Sequence, residues 1–95
     1  MLFAIIGEDV PNSLQKRLAA RPAHLERLET LQHHGRLLLA GPFPKDTGEG
    51  FTGSLIVADF DSQKEAETWG AADPYVKAGV YASVVVKPFK KVFPQ

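Results

Sequence analysis

Strand-like and helix-like segments alternate along this chain in the order strand, helix, strand, strand, helix, strand, and the strands are apolar on both alternating faces. The first strand covers residues 2–7 and is closed by Gly7, Glu8 and Asp9. Residues 12–20, NSLQKRLAA, form a short helical segment capped by Asn12 or Ser13. Pro22 then suits the first turn of a second helix, where its missing N–H costs nothing. Leu25, Leu28 and Leu31 give that helix an apolar stripe, and Gly35 supplies its stop. A second strand covers residues 36–40, GPFPKDTGEG is a loop by its Gly and Pro content, and a third strand covers residues 51–60. The next helix, residues 62–72, opens with the capping box Ser62-x-x-Glu65. Asp73-Pro74 interrupts it and begins one further turn that Gly79 ends. The last strand, residues 80–86, trails into KPFKKVFPQ.

This order implies an α+β, ferredoxin-like βαββαβ domain: a four-stranded antiparallel sheet with two helices on one face. Two helices cover only one side of a sheet, yet LLLA, LIVA and VVV are apolar on both. A bare apolar face is an association surface, so the expectation is a homodimer burying the second faces together; the alternative is a monomer with a loop folded over the sheet.

Ninety-five residues suit one domain. Eleven basic and eleven acidic residues cancel, which argues against nucleic acid or a membrane surface as the main partner. The absence of cysteine excludes disulfides, thiolate metal ligation and a Cys nucleophile. MLFAII is too short for the apolar region of a signal peptide, so a cytoplasmic protein is expected. With no dinucleotide or flavin fingerprint, no cofactor is expected. On one helix His33 falls about 180° and His34 about 80° from His24, so the three histidines do not converge on a metal.

His24 and Asp73 are the candidates for acid–base chemistry. Placed in a first helical turn, His24 would feel the helix's positive end, which disfavours an imidazolium and suits a general base; it also reads as a half-exposed ring packed on a neighbour. Asp73 before Pro74 reads either as an N-cap alone or as a cap that also orients the imidazole. Arg17 and Arg21, four residues apart, are candidates to hold a substrate carboxylate bidentately, provided the chain stays helical through Pro22; solvated arginines are the plainer reading. Thr52 and Ser54 share one strand face, and Ser54 is a candidate to hydrogen-bond a ligand oxygen. It lacks the Gly-x-Ser-x-Gly context of a nucleophile. Tyr75 and Tyr81 are candidate pocket walls. Lys87, Lys90 and Lys91 read as a solvated strand end whose phenylalanines pack onto a partner.

RPAHLERL, AGPFP, GFTGSLIVADFDS, ADPYVKAGVY and the ending VKPFKKVF, in that order, resemble the YciI-like (YCII-related) proteins over essentially the whole chain. The resemblance implies a dimeric α+β barrel similar to muconolactone isomerases. It also implies a His–Asp active site, at His24 in RPAHL and Asp73 in ADPY. With those residues in place, the expected activity is metal-free isomerisation or elimination on a small anionic ring compound such as a lactone. The rival expectation is a non-catalytic dimer that binds a metabolite or a protein.

Overall fold

A computed structural model describes residues 1–95. In chain order it contains β1 (Leu2–Asp9), α1 (Leu14–His33), β2 (Leu37–Pro44), β3 (Phe51–Asp59), α2 (Gln63–Ala71), α3 (Pro74–Lys77) and β4 (Tyr81–Phe89). The strands form one sheet in the order β2-β3-β1-β4, and every neighbouring pair is antiparallel. This is the α+β, ferredoxin-like arrangement that the element order implies. No helix is long and apolar enough to cross a membrane.

Strand alternation sorts the side chains between two faces. Phe3 and Ile5 of β1 and Ile56 and Ala58 of β3 meet Leu31 of α1 and Ala66 of α2, with Phe60 closing the cluster. Helix α2 approaches the sheet closely because Gly70 has no side chain: a Cβ there would stand 3.3 Å from Ile5 Cγ2 and 3.4 Å from Val84 Cγ1. The opposite face is uncovered. Leu39 (48% exposed), Val85 (46%), Phe43 and Phe89 (41% each) lie open there, so no loop of this chain folds over it.

The largest departure from expectation is α1. It runs unbroken through Pro22, so residues 12–20 and the following segment are one helix. Proline removes one backbone donor and leaves the Leu18 carbonyl without its helical partner. Pro22 is on the exposed side and Leu18 is 54% exposed, so water can satisfy that carbonyl. His24 is therefore mid-helix, where the N-terminal dipole that would disfavour its charged form has faded. Ser13 precedes α1 without capping it; its hydroxyl donates to Asp9 instead, at 2.6 Å.

Strand β2 also exceeds its expected length, continuing through Gly41, Pro42, Phe43 and Pro44. An edge strand tolerates proline because one side of its backbone has no ladder to lose, and β2 is an edge. Helix α2 is capped as expected: Ser62 Oγ accepts from the Glu65 N–H at 3.1 Å, and the Glu65 carboxylate accepts from the Asp61 N–H at 3.3 Å.

Candidate active site

Three residues of α1 are buried: Arg17, His24 and Leu31. They are spaced by seven, nearly two whole turns, and so share one helix face. Two of the three are polar. The sheet-facing seam of α1 thus meets the core at Leu31, with Leu28 beside it; further up it walls a cavity of about 410 Å³. Arg17, Arg21, His24, Ser54 and Tyr75 bring polar groups to that cavity, and Leu25, Leu28, Phe51 and Ile56 line its apolar side.

His24 and Asp73 meet. Nδ1 of the imidazole lies 2.9 Å from Asp73 Oδ1 and 3.1 Å from Oδ2. Both side chains are almost fully buried, His24 at 7% and Asp73 at 3% exposure. Asp73 also caps α3, accepting from the Tyr75 N–H at 2.8 Å, so capping and orienting are combined in one carboxylate. Because the carboxylate accepts, Nδ1 carries the donated proton, and in the neutral imidazole Nε2 is the nitrogen left with a lone pair. Nε2 has no partner within the protein and is not sealed from solvent. Tyr75 fixes the ring plane by stacking on it, with centroids 3.9 Å apart and planes 9° apart.

The other end of the cavity is built on Arg17, which is 5% exposed. Nε donates to Asp9 Oδ2 at 2.6 Å and Nη2 to Asp9 Oδ1 at 2.9 Å. Nη2 also donates to the Gly53 carbonyl and to Ser54 Oγ, each at 2.9 Å. Burial is the strongest single influence and works against the Arg17 charge. The Asp9 hydrogen bonds and the Asp9 negative charge, with smaller help from Tyr81 and Tyr75, together outweigh it and hold the Arg17 pKa above the ordinary value. Asp9, at the end of β1, faces α1 in strand alternation and accepts from Ser13 as well as Arg17. Arg17 is thus not a free substrate fork: its bidentate partner is Asp9. Arg21 is exposed at the cavity mouth. Thr52 sits on the same strand face as Ser54 but is exposed and bonds only the Phe43 carbonyl.

Tyr81 stands behind Tyr75, edge to face at 5.6 Å and 89°. Its ring lies against Gly7, where a Cβ would come within 2.5 Å of it, so glycine is required for this approach. Its hydroxyl is buried without a partner, and burial pushes its pKa up to about 12. Burial also raises the pKa of Tyr75. Arg27, one turn beyond His24, donates to the Trp69 carbonyl at 2.9 Å and lies 4.1 Å over the indole ring.

Sequence reasoning missed Asp9 and Gly7. In the sequence Asp9 reads only as the acidic close of the first strand. Its signal is the interval Asp9, Ser13, Arg17, which sets an acceptor and its two donors four residues apart across a strand end and a helix start.

The chain is similar to known proteins over nearly its whole length. A family model described as the YCII-related domain matches residues 1–90. Protein YciI of Escherichia coli is 56% identical, with 98% of this chain and 100% of that protein covered. An uncharacterized protein of Haemophilus influenzae is 54% identical over the same shares. Among solved structures, 5-chloro-2-hydroxyhydroquinone dehydrochlorinase (TftG) of Burkholderia phenoliruptrix, in complex with 2,5-dihydroxybenzoquinone, superposes with a TM-score of 0.82. It is 35% identical, covering 95% of this chain and 94% of that one. From the match to residues 1–90 and the full-length likeness to YciI, this chain belongs to the YCII-related family.

Proposed function

We propose that this protein is a cofactor-free enzyme that moves a proton on a small oxygenated ring compound, isomerising it or eliminating a leaving group. The observation that carries this reading is the His24–Asp73 pair, 2.9 Å apart and opening on an apolar cavity. The likeness to TftG, a dehydrochlorinase, supports the chemistry.

In this mechanism Nε2 of His24 takes a proton from the bound ring. The imidazolium that forms keeps its Nδ1–H on Asp73, whose charge stabilises it. The proton comes from a saturated ring carbon, that of an unsaturated lactone or of the keto tautomer of a chlorinated hydroxyhydroquinone, and the electron pair released from that C–H bond becomes a ring double bond. In an elimination the leaving group departs with its own pair; in an isomerisation His24 returns the proton at another carbon. Arg17, Ser54, Arg21 and Tyr75 are the proposed substrate-binding groups, and the stacked Tyr75 ring keeps Nε2 aimed into the cavity.

Turnover of a panel of chlorinated hydroxyhydroquinones and unsaturated lactones tests this. His24→Ala is expected to reduce the rate by about 10²–10⁴-fold, the usual worth of a positioned acid–base group. Asp73→Asn is expected to reduce it and to alter the Nδ1-protonated tautomer seen by ¹⁵N NMR. Full activity in His24→Ala sinks the proposal.

The occupant proposed for the open sheet face is a second copy of the chain, completing a dimeric barrel. The face carries Glu8 on β1 and Lys87 paired with Ala4 further along it. A two-fold axis running across the strands would bring each charge toward the opposite one on the partner.

A further inference from the structure

We infer that Asp9 sets the ligand class of the cavity, making its Arg17 end select a single ligand oxygen, of a phenolate, enolate or ring carbonyl, and refuse a carboxylate. The inference rests on the reading of this cavity as the substrate site and deepens it.

A guanidinium has five N–H donors and two edges that can grip a carboxylate fork to fork, the Nε/Nη2 edge and the Nη1/Nη2 edge. Nη2 belongs to both. In this protein the Nε/Nη2 edge is filled by Asp9, and the second Nη2 proton is shared between the Gly53 carbonyl and Ser54 Oγ. Neither edge remains for a second carboxylate. Only Nη1 is left, with no hydrogen bond of ordinary length but with the Tyr75 side chain beside the guanidinium, on a residue of the cavity wall.

Ser54 supplies the complementary donor. Its oxygen accepts from Arg17, and its hydroxyl proton can turn either to a ligand or to the neighbouring Tyr81 hydroxyl, which has no other partner. Both Arg17 and Ser54 face the same cavity. One oxygen can take hydrogen bonds from Nη1 and from the Ser54 hydroxyl together. A carboxylate placed there leaves its second oxygen desolvated on the apolar wall of Phe51 and Ile56, and its charge falls close to that of Asp9. The net charge of the Asp9–Arg17 pair is already zero, so the site offers hydrogen bonds and no spare cation. Arg21, exposed at the mouth, is the only other arginine on the cavity and cannot supply a desolvated grip. A hydroxyquinone or cyclic enol, whose charge is spread over the ring, meets these terms.

The test compares binding of 2,5-dihydroxybenzoquinone and of benzoate to the full chain by isothermal titration calorimetry. The wild type is expected to prefer the hydroxyquinone by roughly tenfold or more, as an unpaired ligand oxygen commonly costs. Asp9→Ala opens the Nε/Nη2 edge and is expected to gain benzoate affinity by a similar factor. Should Asp9→Ala not fold, Ser54→Ala supplies the second arm: it weakens the hydroxyquinone by about tenfold and leaves benzoate unchanged. Equal affinities, a preference for benzoate, or no binding of either ligand overturns the inference. The outcome is separable from that of the catalytic reading. Hydroxyquinone preference with full turnover in His24→Ala removes the His24 mechanism alone, and benzoate preference with turnover lost in His24→Ala removes the Asp9 selection alone.

Discussion

The Asp9–Arg17 pair makes a quantitative stability prediction. Arg17 is 5% exposed and the Asp9 side chain 1%, so the pair has little contact with water. Asp9→Ala strands a buried guanidinium, removes the acceptor of two Arg17 donors and leaves the Ser13 hydroxyl unpaired. Breaking a buried pair from one side costs about 3–5 kcal/mol. For a domain of this size each kcal/mol lowers Tm by about 4–8 °C, so even the lower figure means a drop of roughly 12–24 °C. The double variant Asp9→Leu/Arg17→Met replaces both charges with apolar groups of similar bulk. Such exchanges are often neutral or stabilising, so the double variant is expected to melt within a few degrees of wild type while losing hydroxyquinone binding. Scanning calorimetry on the three proteins, with circular dichroism to confirm folding, gives the answer. An Asp9→Ala loss below about 1 kcal/mol would refute the reasoning, because a loss that small belongs to an exposed pair. A double variant as unstable as the single would also refute it, since the penalty would then come from lost packing.

Other expectations are simpler. Gly7→Ala drives a methyl into the Tyr81 ring, so thermal melts should show a loss of about 1–3 kcal/mol, and Gly7→Ala/Tyr81→Leu should recover most of it. Ser62→Ala removes the α2 cap and should cost about 1 kcal/mol in urea unfolding. Both tyrosines have raised pKa values, with Tyr81 at about 12, so tyrosinate absorbance should develop above the ordinary range around pH 10. Because the folded state holds these protons more tightly than the unfolded chain, their contribution to stability is complete below pH 10 and is lost as pH rises toward 12. Val85→Arg on the open sheet face should shift the molecular mass in sedimentation from dimer to monomer if a second copy covers that face.

The sheet and its strand order of elements were legible because apolar strands and Gly- or Pro-rich joints follow local rules. Two errors had a common origin in proline. Pro22 suits a helix start because that is its cheapest position; tertiary packing of Arg17, His24 and Leu31 on one seam keeps the chain helical through it. Pro42 and Pro44 were assigned to a loop because proline breaks ladders, but β2 is an edge strand with a ladder on one side only. The pairing of His24 with Asp73 was not legible from spacing. It depends on α3 docking against α1; the residues left an orienting Asp73 as one of two readings, and the resemblance favoured it. Asp9 was missed for a similar reason: its partner is another element's side chain, and local pattern carries no sign of a charge that is neutralised in the core.

Arg17 and His24 ride on one uninterrupted helix, seven positions apart, so their separation along its axis is set at about 10 Å by the helical rise. The helix thus acts as a ruler between the Arg17 end and the His24 end of the cavity. Loop insertions and altered strand ends cannot change its graduation. Substitutions at Leu25, Leu28 or Pro42 would recut the apolar walls, but the interval between Arg17 and His24 would stay the same.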